Sequence, residues 1–351
     1  MNSKAWNAEK IYINEIIRVT YKCNWKCKFC NVLKTNNFWE TDVTQKEIIY
    51  QILSLVRKYD SWQRKKLILS FSWWEPTLDI KLLSYIKLAK KIWVWIVEVQ
   101  TNGTRLFKKK SYILDLINAW LDEIFLAQHS WDEQVNKQLW SYYNIDDFVS
   151  WTKYILENEI NIKISIYLNI VVTKINLFFV HDYITFLLKI WFIKIIPSRD
   201  HYNSSFENWY KTHKISFWLV QPNWYAEINK QEVLLKYTYE EITEFDRIIE
   251  LCKQNNILPD FHFVCPPLCI LDYPEYNLEH ERLIKLEEHK SIWDVNESNL
   301  KSYEFLWKEK RKFNECNNCN NYKYCLGFYK NWIDFVWEKY VIEKINNYLN
   351  K

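Results

Sequence analysis

The chain has 351 residues, of which 49% are hydrophobic and 26% charged, and it carries a net charge of +4. That balance describes an ordinary globular protein with room for one large domain and a smaller one, and it excludes disordered and collagen-like chains. The small positive charge leaves no footprint for nucleic acid or an anionic membrane, and Lys108-Lys109-Lys110 reads as solvated surface.

The first ten residues are polar and lack the apolar segment of a secretion signal. Residues 176–197 form the most apolar stretch, but His181, Asp182, Lys189 and Lys194 interrupt it, which argues against a membrane span. The expected compartment is the cytoplasm, where cysteines stay reduced and serve metals or catalysis.

In chain order, apolar β-branched runs predict strands over residues 13–19, 66–71, 96–100, 123–127, 162–172 and 192–197. Helical periodicity predicts helices over 45–59, 80–91, 110–119, 145–157 and 178–189. Six strands joined by five helices imply a parallel sheet with right-handed crossovers. The expected fold class is α/β, a partial (β/α)6, TIM-like barrel. Residues 200–229 read as irregular, followed by a helix over 239–254 and a short strand over 260–264. A soft boundary near residue 235 divides a core domain (1–235) from a small C-terminal domain (236–351).

One feature of the composition is abnormal: the chain has 2 Gly and 20 Trp. Together they make 22 of 351 residues, close to the ~7% that glycine alone usually supplies. Trp93, Trp120 and Trp191 each stand between a helix and a strand, the position where glycine is favoured because it reaches the left-handed region without a Cβ clash. The hypothesis is that many of these tryptophans are glycine in the natural protein, read from a reassigned UGA codon. UGG codons at Trp73, Trp74, Trp93 and Trp120 would refute it. Trp39, Trp62 and Trp307 are candidates for authentic core tryptophan.

The nine cysteines form two groups, with none between Cys30 and Cys252. The first group, Cys23, Cys27 and Cys30, has CX3CX2C spacing just after the first strand. Three thiolates in one loop suit zinc or an iron–sulfur cluster, and with three ligands a [4Fe–4S] cube keeps one iron open. A structural zinc site calls for a fourth Cys or His nearby, and the sequence has none there. Three other polar stretches fall at strand ends: Ser72-Trp73-Trp74-Glu75-Pro76-Thr77, Thr101-Asn102-Gly103-Thr104 and Gln128-His129-Ser130. In a barrel all of them share the C-terminal rim with the cysteine loop.

On these motifs the chain resembles the radical S-adenosylmethionine (SAM) superfamily over residues 12–200. The cysteine loop fits, including Phe29 before its last cysteine. Trp73-Trp74-Glu75-Pro76 is similar to the family's Gly-Gly-Glu-Pro if both tryptophans are glycine. Ala119-Trp120-Leu121-Asp122 resembles the family's Ala-Gly-Leu-Asp. The resemblance implies a [4Fe–4S] cluster on Cys23, Cys27 and Cys30 whose open iron binds SAM. It also implies reductive SAM cleavage to a 5′-deoxyadenosyl radical and hydrogen abstraction from substrate. The residues it implies at SAM are Phe29, Trp73, Trp74, Glu75, Pro76, Thr101, Asn102 and Asn169. His129 is a candidate proton donor or a structural histidine, and Ala127 stands where many relatives have serine.

Downstream, Cys316, Cys319 and Cys325 have CX2CX5C spacing. With Cys265 and Cys269 they resemble the auxiliary-cluster region of radical SAM maturases, the SPASM domain and its shorter twitch form. That likeness implies a second, fully ligated [4Fe–4S] cluster, with Cys269 as the fourth ligand and Cys265 in reserve. Tetrahedral zinc on the same thiolates is the alternative. Cys252, inside a helix, reads as a buried apolar residue.

The expected substrate is a peptide or protein, with an electron donor such as flavodoxin or ferredoxin. Trp218 to Ala226 are candidates for the substrate channel. The alternatives are a small-molecule cofactor-biosynthesis enzyme and a zinc-stabilised binding protein without catalysis.

Overall fold

A computed structural model describes residues 13–30, 42–141, 143–203, 208–222, 224–262, 269–271, 308–320, 322, 325 and 327–350. Its centre is one sheet. Strands β1 (Ile13–Ile17), β2 (Leu67–Phe71), β3 (Ile96–Thr101), β4 (Glu123–Ala127) and β5 (Ser165–Val172) lie side by side in chain order, all parallel. β6 (Ser198–Asn203) and β7 (Asn208–Leu219) form an antiparallel pair. The second half of β7 runs parallel to β5, and β8 (Ile257–His262) adds to its other edge. The architecture is the expected α/β partial barrel. Among the described residues no helix is long and apolar enough to cross a membrane.

Helices α1 (Gln45–Lys58), α2 (Leu82–Lys91), α3 (Tyr112–Asn118), α4 (Glu133–Leu139), α5 (Ile145–Glu157) and α6 (Leu177–Lys189) connect the strands. Each forms for local reasons. In α1, Thr44 and Glu47 make a capping box, Arg57 and Lys58 occupy the last turn, and Ile48, Ile52 and Leu55 recur on one buried face. Burying each such side chain contributes about 1.5–3 kcal/mol. These faces meet Leu69, Val97, Val99, Ile124, Leu126, Ile166, Leu168 and Ile170 of the sheet in one apolar core.

The sixth strand is not at residues 192–197. Phe192–Lys194 is a single 3-10 turn, with Ile195 and Ile196 also buried. A short run that is apolar on every side cannot be told from a buried turn by its periodicity. The sixth parallel position belongs instead to β7, where Ile215, Phe217 and Leu219 are buried alternately along the strand. Residues 200–229 are therefore ordered strand and helix over much of their length, including α7 (Trp224–Ile228). α8 (Lys230–Val233) and α9 (Tyr239–Gln254) follow. Past the expected boundary near residue 235, β8 still pairs with β7, so the sheet runs beyond that point.

The backbone bears on the tryptophans. Among the described residues ten other than glycine have positive φ, and seven of them are Trp: 73, 74, 93, 120, 140, 191 and 337. At Trp337 the pair φ 77, ψ 136 lies where an L side chain is strained. Each such residue costs about 1–2 kcal/mol. Seven cost on the order of 10 kcal/mol, which rivals the ~5–15 kcal/mol net stability of a typical domain. Trp93, Trp120, Trp140, Trp191 and Trp337 also leave large indoles exposed, the last at 78%. Trp25, Trp151 and Trp332 are buried, Trp151 completely.

Candidate active site

The cysteine loop leaves β1 and crosses the rim at the C-terminal ends of the parallel strands. Cys23, Cys27 and Cys30 are partly exposed thiols. A turn closes with the Cys30 amide donating to the Cys27 carbonyl (3.1 Å), and the Trp25 amide points at the Cys23 sulfur (3.4 Å). Among the described residues no three Cys, His, Asp or Glu side chains converge on a single metal ion. A cubane does not require that convergence, because each of its cysteines binds a different iron. The donor set, three thiols on one loop with an amide directed at a sulfur, fits such a cluster.

Neighbouring elements hold this loop. The Lys26 and Lys28 amides donate to the carbonyls of Trp140 (3.3 Å) and Leu139 (3.1 Å), capping the C-terminal end of α4. The Glu75 amide donates to the Lys22 carbonyl (3.0 Å). The Asn102 carboxamide donates to Asn24 Oδ1 (2.7 Å).

Glu75 is the centre of the rim. It is 1% exposed, and its carboxylate accepts from the Thr101 hydroxyl (2.6 Å), the Asn102 amide (2.7 Å), and the hydroxyl and amide of Thr77. Burial pushes its carboxyl above the usual range, against the opposing pull of these hydrogen bonds. Pro76, also buried, starts the 3-10 turn Pro76–Leu78. Gln128 is fully buried and donates to the Asn102 carbonyl (2.5 Å), while its own Oε1 has no partner among the described residues. Asn169 Oδ1 is likewise buried without a partner there.

Trp73 and Trp74 fill the space between this loop and the end of β1. The Arg18 guanidinium lies 4.0 Å from the Trp73 ring centre, and Tyr21 packs edge-on to Trp74 at 4.8 Å. His129 sits beneath the cysteine loop, edge-on to Phe29 at 4.9 Å. Its Nδ1 accepts from the Val171 amide (3.1 Å), and burial lowers its pKa to about 3, so the ring is neutral at pH 7.

In the C-terminal region, Cys316 lies within the 3-10 turn Asn314–Asn318 and Cys319 ends it, with the Cys319 amide donating to the Cys316 carbonyl (2.9 Å). The Gly327 amide points at the Cys325 sulfur (3.2 Å). Gly327 has φ +82, and a Cβ there would lie 2.4 Å from the Arg311 carbonyl oxygen, so only glycine fits. Burial raises the Cys269 thiol strongly, and the nearby Cys325, Cys316 and Cys319 raise it further, which places all four in one neighbourhood. Cys265 lies outside the described residues. Cys252 is buried in α9 with its thiol pushed up to about 12 by burial, a core residue as expected.

The sequence motifs gave no role to Asn24, Gln128 or Asn229, the last of which donates from its carboxamide to the Lys28 carbonyl (3.0 Å). Asn24 stood within the cysteine motif and Gln128 at a strand end. Asn229 carried no local signal.

Residues 17–176 match the model of the Radical SAM superfamily. Among solved structures, the chain is similar to native anSMEcpe with bound AdoMet (TM-score 0.56, 12% identity, covering 96% of this chain and 99% of that one). It is also similar to anSMEcpe with AdoMet and the Kp18Cys peptide (0.55, 12%, 96% and 99%). Streptococcus suis SuiB matches at TM-score 0.51 and 15% identity over 76% of this chain, which spans only 52% of SuiB. At these identities the likeness is one of fold. No curated protein matches by sequence.

Proposed function

We propose that the chain is a radical SAM enzyme with two [4Fe–4S] clusters, one on Cys23, Cys27 and Cys30 and one on Cys269, Cys316, Cys319 and Cys325. The observation that carries this reading is the three-thiol loop set on the rim of a partial barrel, inside the segment that matches the superfamily. The shared neighbourhood of the other four thiols supports the second cluster.

With the cluster bound, its open iron would supply the electron that cleaves SAM to a 5′-deoxyadenosyl radical, which abstracts hydrogen from substrate. This chain's residues bind and orient. The Glu75 carboxylate is occupied by internal hydrogen bonds, so the backbone of residues 73–75 is the part left to meet the methionine amino group. Thr101 and Asn102 hold Glu75, and Asn169 on β5 is the candidate for a ribose hydroxyl that the family resemblance implies. Phe29 and His129 pack under the loop, and a neutral imidazole of this kind is a poor proton donor.

The reading requires room at residues 73 and 74. We propose that the natural protein has glycine there and at 93, 120, 140, 191 and 337. Support comes from the positive φ at all seven, together with the exposure of the last five. UGA differs by one base from the tryptophan codon UGG and from the glycine codon GGA. The assignment expects UGA at these seven codons and UGG at Trp25, Trp151 and Trp332; UGG at any of the seven removes it there.

A peptide or protein is the favoured substrate, by fold analogy with anSMEcpe, one of whose structures contains the Kp18Cys peptide. A ferredoxin or flavodoxin would supply electrons. The test is anaerobic incubation of the glycine-containing protein with SAM and a strong reductant. Reductive formation of 5′-deoxyadenosine is expected, and none above a Cys27→Ala control would overturn the enzyme reading.

A further inference from the structure

The short helices that follow β7 reach back over the cysteine loop. Asn229, between α7 and α8, donates from its carboxamide to the Lys28 carbonyl (3.0 Å) and to the Tyr225 carbonyl (2.9 Å). Its own carbonyl accepts the amides of Glu232 (2.9 Å) and Val233 (3.1 Å). Glu232 in turn forms an ion pair with the Lys28 ammonium. This strap is itself fixed: Val233 is fully buried, and its carbonyl accepts the Lys174 amide at the end of β5 (2.9 Å).

Lys28 lies inside the Cys27–Cys30 turn. Its amide is already committed to Leu139 of α4. The Asn229 contact therefore fixes the other side of the same residue, and both peptide groups flanking Lys28 have defined partners. A turn held at only one of its peptides can rotate, which would carry Cys27 and Cys30 away from their common ligand. Asn102, bonded to Asn24, steadies the opposite end of the loop.

We propose that Asn229 is a positioning residue for the N-terminal cluster, acting through the Lys28 carbonyl to present Cys27 and Cys30. The inference rests on the radical SAM reading. Partners that orient metal ligands typically change metal retention by about 10–100-fold when removed.

The experiment uses the full-length, glycine-containing, reconstituted protein and follows loss of the N-terminal cluster to an iron chelator, together with the electron paramagnetic resonance spectrum of the reduced cluster. Asn229→Ala and Asn229→Asp, the latter replacing a donor with an acceptor, are expected to lose that cluster about tenfold faster or more. Their reduced-cluster spectrum should be altered while the thermal midpoint of the apoprotein stays unchanged. Asn229→Gln, which keeps the donor, is expected to restore retention in part. Glu232→Ala, an exposed change that tests the same strap without threatening the fold, should give a smaller acceleration. Retention and spectra equal to the parent in Asn229→Ala, Asn229→Asp and Glu232→Ala would overturn the inference and leave the enzyme reading intact. A parent protein that binds no iron would overturn both.

Discussion

The two cysteine groups use the same side chain, partly exposed in both, beside different neighbours. The partly exposed thiols of Cys23, Cys27 and Cys30 sit on a loop held by polar strand ends, among them Glu75 and Asn102. Burial raises the thiols of Cys269, Cys316 and Cys325, and Phe313, Phe328 and Trp332 pack against one another in the same region. Polar, hydrogen-bonded neighbours surround the first group and packed aromatic rings the second, so the two loops differ in what holds them more than in their own exposure.

That contrast can be broken most sharply at the cysteines. Cys27→Ala is expected to abolish 5′-deoxyadenosine formation. Cys269→Ala or Cys325→Ala should reduce iron from about eight to about four per chain while the N-terminal cluster still binds SAM. SAM-dependent changes in the reduced-cluster spectrum check this, and loss of SAM binding in Cys325→Ala would erase the distinction.

Stability gives the next largest effect. Glycine at the seven left-handed positions should raise the thermal midpoint by roughly 10–20 °C over the tryptophan chain, since it relieves on the order of 10 kcal/mol of strain. In the same background Trp151→Gly should destabilise by about 3–5 kcal/mol in chemical denaturation, because it empties a fully buried position. Equal responses at Trp120 and Trp151 would contradict the division into two populations.

The smallest effect is in acid. His129 has a folded pKa of about 3, below its unfolded value near 6.5, so the unfolded chain takes up its proton first. The stability contributed by the neutral ring is present above pH 6.5 and lost as pH falls below it, at up to ~1.4 kcal/mol per pH unit. Comparing denaturation at pH 7 and pH 5, His129→Gln should flatten that dependence.

Much of this was legible in the sequence because it is local. β4 at Glu123–Ala127, α5 at Ile145–Glu157 and α9 at Tyr239–Gln254 have the boundaries that periodicity assigns, since each buries one regular face. Phe192–Lys194 and the isoleucines after it have the apolar content of a strand in a run too short for its period to separate strand from turn, while β7 buries Ser216 between Ile215 and Phe217 and so blurs its own alternation. At the site, the cysteine spacing and the Glu75 loop announced themselves. The hydrogen bonds that occupy Glu75, and the reach of Asn229 across the sheet, depend on tertiary placement and left no mark in any window of the chain.

The bond from Asn229 to Lys28 spans 201 residues. A nascent chain therefore presents its three cysteines long before the strap that steadies them has been synthesised. Contacts of such separation form late in folding because the loop between them must close first. Strands β2 to β7 all lie between the two partners in the chain, so the contact is made only after they have been synthesised. A chain that ends before residue 229 lacks this contact and also lacks α9 and β8, which complete the sheet and its core.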